Sequence, residues 1–199
     1  MESIYNGSLT REKFLFYEIR IVAKLLCDGL SPKDAVLRIQ QENLFQFPTE
    51  KMITRIAKTC FTRIDALDSK ALIYALANEP VDTAKQINLY AMMKYNRLVW
   101  DFMTTVVGEK YRTQDFILTQ RDMNTFINGL IEQNDEVASW SVSTIKKIKQ
   151  ILIRMLFECD YIDSIREERL NLVMISPELE DAIKEKGDFA ALPAFNCFD

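Results

Sequence analysis

From Trp140 to Cys159 the chain reads WSVSTIKKIKQILIRMLFEC. At 100° per residue Ile145, Ile148, Leu152, Met155 and Cys159 fall on one face of a helix. Ser143, Lys147, Gln150 and Arg154 fall on the opposite face, with Lys146 flanking them. Ser141 or Ser143 is the expected N-cap, and the spacing predicts a helix continuing to Cys159. Such a face has two readings. Any amphipathic helix carries a solvated polar stripe, and lysine is its usual constituent. The same stripe also suits contact with duplex DNA. Lys and Arg bind phosphate or guanine edges, Gln can pair with adenine, and the Ser143–Thr144 start offers amide donors to phosphate.

The layout recurs. Lys51, Arg55, Lys58 and Thr62 repeat the same spacing of four, three and four, opposite Ile53, Ile56, Cys60 and Ile64. Thr49 caps that helix. Before it, Thr10 is the expected cap of a helix running to about Cys27, and Asp28-Gly29-Leu30 breaks it. Ser31-Pro32-Lys33-Asp34 then restarts a second helix, with Ser31 as cap and Pro32 at the first helical position. Three short helices in this order fit a helix-turn-helix module.

Asp68 or Ser69 opens a short helix to Ala77. Pro80 then sits at the start of a helix expected to run unbroken to Val107, where Gly108 ends it, roughly 42 Å of central strut. Short helical segments are expected near Phe116–Leu118 and over Gln120–Gln133, then a short helix or turn at Asp135–Ser139. Beyond Cys159, Tyr161–Ile165 and Leu170–Ile175 are β-compatible runs that would make a small wing over Ile162–Ile175. Their connection, Arg166-Glu167-Glu168-Arg169, lacks the glycine of a strong hairpin signal. From Gly187 on, Phe189, Leu192, Phe195 and Phe198 make the tail apolar enough to pack. The fold class is therefore all-α: a helix-turn-helix-like module over 1–78, a central helix and linker over 79–113, and a winged-helix-like module over 114–199.

Composition agrees. Only five glycines and five prolines occur in 199 residues, too few for the turns of a sandwich or barrel. The net charge is −4, which argues against nucleic-acid binding by the whole surface. Locally the sign reverses. Thr49–Arg63 holds Lys51, Arg55, Lys58 and Arg63 against Glu50, and Ser141–Cys159 holds Lys146, Lys147, Lys149 and Arg154 against Glu158.

Several function classes lack their residues. The four cysteines, Cys27, Cys60, Cys159 and Cys197, form no CxxC pair, and no histidine is present to complete a mixed zinc shell. Neither GxxxxGK[ST] nor GxGxxG occurs, so nucleotide and dinucleotide sites have no phosphate cradle. No metal, cofactor or small-molecule substrate is expected, and no catalysis. No run of about 18 apolar residues occurs, and the chain is expected to be cytoplasmic and to make no membrane contact.

Four stretches together resemble one known family: ENLFQ at Glu42–Gln46, AKQINLYAMMK at Ala84–Lys94, RLVWDFM at Arg97–Met103 and ASWSVSTIKK at Ala138–Lys147. They are similar, in order and from about Ser8 to Leu179, to BrxA of the bacterial BREX phage-defence systems. The resemblance implies an all-helical, NusB-like protein of two helix-turn-helix-like modules that binds double-stranded DNA. It works beside other BREX proteins, a methyltransferase and an ATPase among them, and catalyses nothing itself. The family has also been labelled a putative inner membrane protein, which the absence of a spanning segment contradicts.

The resemblance carries no DNA contacts residue by residue. The expected contacts are geometric: Ser143, Thr144, Lys146, Lys147, Gln150 and Arg154 on the late helix, with Lys51, Arg55, Lys58 and Thr62 as a second set. Two rivals stand beside this reading. One is an adaptor docking on a larger defence enzyme through Phe45, Phe47 and the Phe195–Phe198 tail, its basic stripes merely solvated. The other is a dimeric helix-turn-helix repressor.

Overall fold

The computed structural model describes Tyr5, Leu9, Thr10 and residues 13–198. Among them the elements are α1 (Phe16–Cys27), α2 (Pro32–Gln41), α3 (Glu50–Leu67), α4 (Lys70–Asn78), α5 (Val81–Tyr95) and α6 (Arg97–Phe102), followed by a π-helix (Met103–Val107). Next come α7 (Gly108–Arg112), α8 (Gln120–Gln133), α9 (Asp135–Ala138), α10 (Val142–Glu158), α11 (Pro177–Glu185) and a 3-10 helix (Phe189–Phe195). The protein is all-α. α11 was not anticipated from the sequence.

Two compact units share the chain. The first is Phe14–Tyr95 with Ser176–Ala182; the second takes in residues 96–175 and 183–198 with Tyr5, Leu9, Thr10 and Lys13.

In the first unit α1 packs on α3 and α4, and α5 packs on the same two helices. Residues 87–93 of α5 are buried without interruption, so this stretch of the helix is enclosed on every side and shows no amphipathic stripe. Among its buried residues is Asn88, whose Nδ2 donates to the Phe14 carbonyl at 2.7 Å. Arg63 of α3, also fully buried, donates from Nη1 to the same oxygen at 2.9 Å.

These two bonds explain why α1 starts at Phe16 and not after Thr10. A carbonyl committed to two core side chains is not free to accept within a helix, and Leu15 takes a left-handed conformation at φ 55°. Ser31, Thr49 and Ser69 cap α2, α3 and α4 as their residue types predict, accepting from Asp34, Met52 and Leu72 backbone N–H groups.

No unbroken helix runs from Pro80 to Val107. Asn96 is extended (φ −124°, ψ 110°), and its side chain accepts from the Leu98 and Val99 N–H groups, capping α6 as a separate helix. Gly108 does not end the run either. It is helical, at φ −62°, and α7 continues to Arg112. The glycine serves packing instead: a Cβ there would lie 3.0 Å from Pro193 Cβ and 3.2 Å from the Ala194 nitrogen. Its missing side chain lets the 3-10 helix lie against the π-helix and α7.

The wing does not form. Among the described residues the one β feature recorded is an isolated antiparallel bridge between Ile117 and Arg169. Leu118 N–H donates to the Glu168 carbonyl at 2.6 Å and Leu170 N–H to the Phe116 carbonyl at 2.7 Å. The start of the second β-compatible run thus bridges to Phe116–Leu118, itself expected to be helical, while a single backbone bond, Asn171 N–H to the Tyr161 carbonyl at 2.8 Å, ties it to the first run without forming a strand pair. Tyr161 is enclosed, its hydroxyl donating to the Ala194 carbonyl at 2.9 Å. Burial pushes both this phenol and Tyr111 well above the ordinary range. In the tail, Leu192 and Phe195 pack inward while Phe189 and Phe198 stay exposed.

Candidate nucleic-acid interface

In the second unit α10 spans Val142–Glu158 with Ser141 as its N-cap, accepting from Thr144 N–H at 3.1 Å. The Ser141 hydroxyl also lies 2.8 Å from that of Ser143 and 2.9 Å from that of Thr144. The expected inner face is inner: Ile148, Leu152, Met155 and Cys159 are buried and Ile145 is half-buried. The expected outer face is outer. Ser143, Lys146, Lys147, Gln150 and Arg154 are exposed, and Thr144 is half-buried.

The cations differ in how they are engaged. Arg154 Nε pairs with Glu158 Oε1 at 2.8 Å, and Lys149 Nζ donates to Asn124 Oδ1 at 2.6 Å. Among the described residues no carboxylate pairs with Lys146 or Lys147. All four cations, with Gln150, line an open groove of about 500 Å³. Gln120 and Met123 of α8 and Ile165, beyond the end of α10, line it too. Helical spacing could find the lysines, but nothing in the sequence signalled Gln120, Met123 or Ile165. They come to the groove from other elements through the packing of this unit.

The second basic set lies on α3, in the first unit. Lys51, Arg55 and Lys58 are exposed, opposite the buried Ile53, Ile56, Cys60 and Ile64. Thr62 is half-buried and spends its hydroxyl on the Lys58 carbonyl at 2.9 Å. Arg63, counted with this positive segment, belongs to the core and leaves the surface tally. The Cys60 thiol beside it is pushed up to about 12 by burial, which makes it a small apolar filler and not a nucleophile.

Of the residues expected to serve an adaptor, Phe45 and Phe195 are buried, Phe47 is half-buried and Phe198 is exposed. Other apolar residues of the second unit are more exposed, Leu172 at 69% and Met174 at 87% among them. Among the described residues, no group of three or more Cys, Asp or Glu is placed to hold a metal ion. None of the described helices is long and apolar enough to cross a membrane.

Comparison with known proteins places this chain in a family. The BrxA family model matches residues 3–187. A protein of Bacillus cereus (strain H3081.97) called BREX protein BrxA is 31% identical over 188 residues, 94% of each chain. One of Escherichia coli O9:H4 (strain HS) with the same name is 28% identical, covering 94% of this chain and 87% of its own. A crystal structure of an uncharacterized protein from Magnetospirillum magneticum superposes with a TM-score of 0.81 over 97% of this chain and 98% of its own. At 21% identity that likeness speaks for the fold alone. The family model and the Bacillus cereus relative, each spanning nearly the whole chain, establish that this chain belongs to the BrxA family.

Proposed function

We propose that the chain is a non-enzymatic accessory protein of a bacterial BREX phage-resistance system that binds double-stranded DNA. It acts in the cytoplasm beside other BREX proteins and grips duplex through the Ser143–Arg154 face, with the Lys51–Thr62 face as a second contact. One observation carries the reading: in a chain of net charge −4, the exposed face of α10 concentrates Lys146, Lys147, Lys149 and Arg154 around an open groove. Net acidity makes indiscriminate attraction weak, so a local cationic groove directs a polyanion to one place.

The test is a gel shift on random duplex across a salt series. With about five phosphates neutralised over both faces, affinity is expected to fall roughly as the 4.5 power of salt. Lys147→Glu with Arg154→Glu is expected to abolish the shift while leaving helicity and melting unchanged, because both side chains are exposed. Undiminished binding by that variant would sink the assignment to α10.

The adaptor reading is favoured by the exposure of Phe198, Leu172 and Met174, and not by the buried Phe45 and Phe195. Capture of other BREX proteins by nuclease-treated chain, lost in Leu172→Ser with Met174→Ser, would favour it.

A further inference from the structure

We infer that the groove beside α10 receives one sugar–phosphate strand of the duplex, and that α10 does not enter the major groove as a recognition helix. The inference rests on the DNA-binding reading and specifies which part of the ligand meets these residues.

Shape is the first argument. A recognition helix must stand out from its protein, because a helix with its side chains is about 10–12 Å across and the major groove about 12 Å wide. The basic residues of α10 do not stand out alone. Lys146, Lys149 and Gln150 share a depression of about 500 Å³ with Gln120, Met123 and Ile165, none of which belongs to α10. A depression takes a ridge, and the ridge a duplex offers is its backbone strand.

Chemistry is the second argument. Base edges are read by bidentate groups, Arg on guanine above all. Arg154 is the one arginine of this face, and its Nε is held by Glu158 at 2.8 Å, which leaves the Nη groups for a ligand but ties the Nε edge of the fork. The remaining cations are lysines, point charges suited to phosphate and indifferent to base identity. The hydroxyls of Ser141, Ser143 and Thr144 already engage one another, leaving less for a base edge. Ile165, 60% exposed, adds carbon surface to the same groove, which fits the deoxyribose between successive phosphates and has no role in binding phosphate alone.

The two docking modes place different residues against DNA, and this makes the inference testable. Gln120 and Ile165 are exposed and off α10, so Gln120→Glu with Ile165→Glu is tolerable to the fold, which a melting curve checks. If a backbone strand lies in the groove, this double variant weakens binding about tenfold or more, equally across a panel of duplex sequences. Lys146→Gln, Lys147→Gln and Lys149→Gln each lower the slope of log affinity against log salt by about one. Gln150→Ala leaves relative affinities across the panel unchanged.

Undiminished binding by Gln120→Glu with Ile165→Glu, or a sequence preference altered by Gln150→Ala, would overturn the inference and leave DNA binding intact. Failure of the unaltered protein to shift any duplex at low salt overturns the DNA reading and this one with it.

Discussion

The Phe14 carbonyl accepts from both Asn88 and Arg63 inside the first unit. Removing one donor leaves a buried polar group short of a partner, which costs more than the bond itself contributed. Asn88→Leu, close to Asn in size, is expected to lower stability by about 1–3 kcal/mol, seen as a lower urea midpoint at unchanged slope. An unchanged midpoint would mean that the carbonyl is satisfied without Asn88.

Arg63 was counted with the positive segment, although it lies seven residues after Ile56, two turns on the same face, and that spacing points inward. Its partner was not legible, because Phe14 is distant in sequence and a carbonyl has no sequence signature.

Another residue-scale arrangement responds to pH. Lys110 Nζ lies 2.6 Å from Asp115 and 3.2 Å from Asp122. Burial pushes the Asp122 carboxyl up, but hydrogen bonds from the Thr119 side chain and backbone, and the Lys110 ammonium, outweigh it and bring it below the usual 3.8. A carboxyl with a lowered folded pKa contributes stability above its unfolded value, and loses it as pH falls through the lower folded value. Lys110→Met is therefore expected to melt lower than the unaltered chain at neutral pH and to lose less on acidification below 3.8. Parallel melting losses in the two proteins would show that Lys110 does not act on Asp122.

At the scale of elements, the helix starts that depend on local chemistry were readable. Ser31, Thr49 and Ser141 each cap as their types dictate, and α8 opens on a capping box of Thr119 and Asp122. What misled were decisions taken by distant partners. The second β-compatible run meets Phe116 through Leu170 and Tyr161 through Asn171, and a β-compatible pattern cannot reveal which partner it will meet.

Gly108 shows the same from another side. Its helical backbone needs no glycine, but its neighbours do. Gly108→Ala is expected to lower stability by about 1–3 kcal/mol through overpacking against Pro193 and Ala194. Gly129→Ala, in α8 with nothing within 4 Å of the new Cβ, is expected to raise it by about 0.5–1 kcal/mol. Thermal melts of the pair check both signs, and stabilisation by Gly108→Ala would mean that Pro193 yields freely.

For the whole molecule, composition and helix periodicity were enough to give an all-α chain, and the two basic stripes were readable as faces. The groove was not, since it needs Gln120 and Ile165 brought beside α10. Nor was the path of the chain. It leaves the second unit after Lys13, builds the first through Tyr95, returns for residues 96–175, contributes Ser176–Ala182 to the first, and ends in the second.

That path has a consequence for biosynthesis. The first unit is not complete when Tyr95 leaves the ribosome, because Ser176, whose N–H donates to Gln86 Oε1 at 2.9 Å, has yet to be translated. At about 5–20 residues per second the nascent chain waits on the order of ten seconds with five helices made and their last segment missing. During that interval the half-built unit is the form of the protein that chaperones and proteases meet.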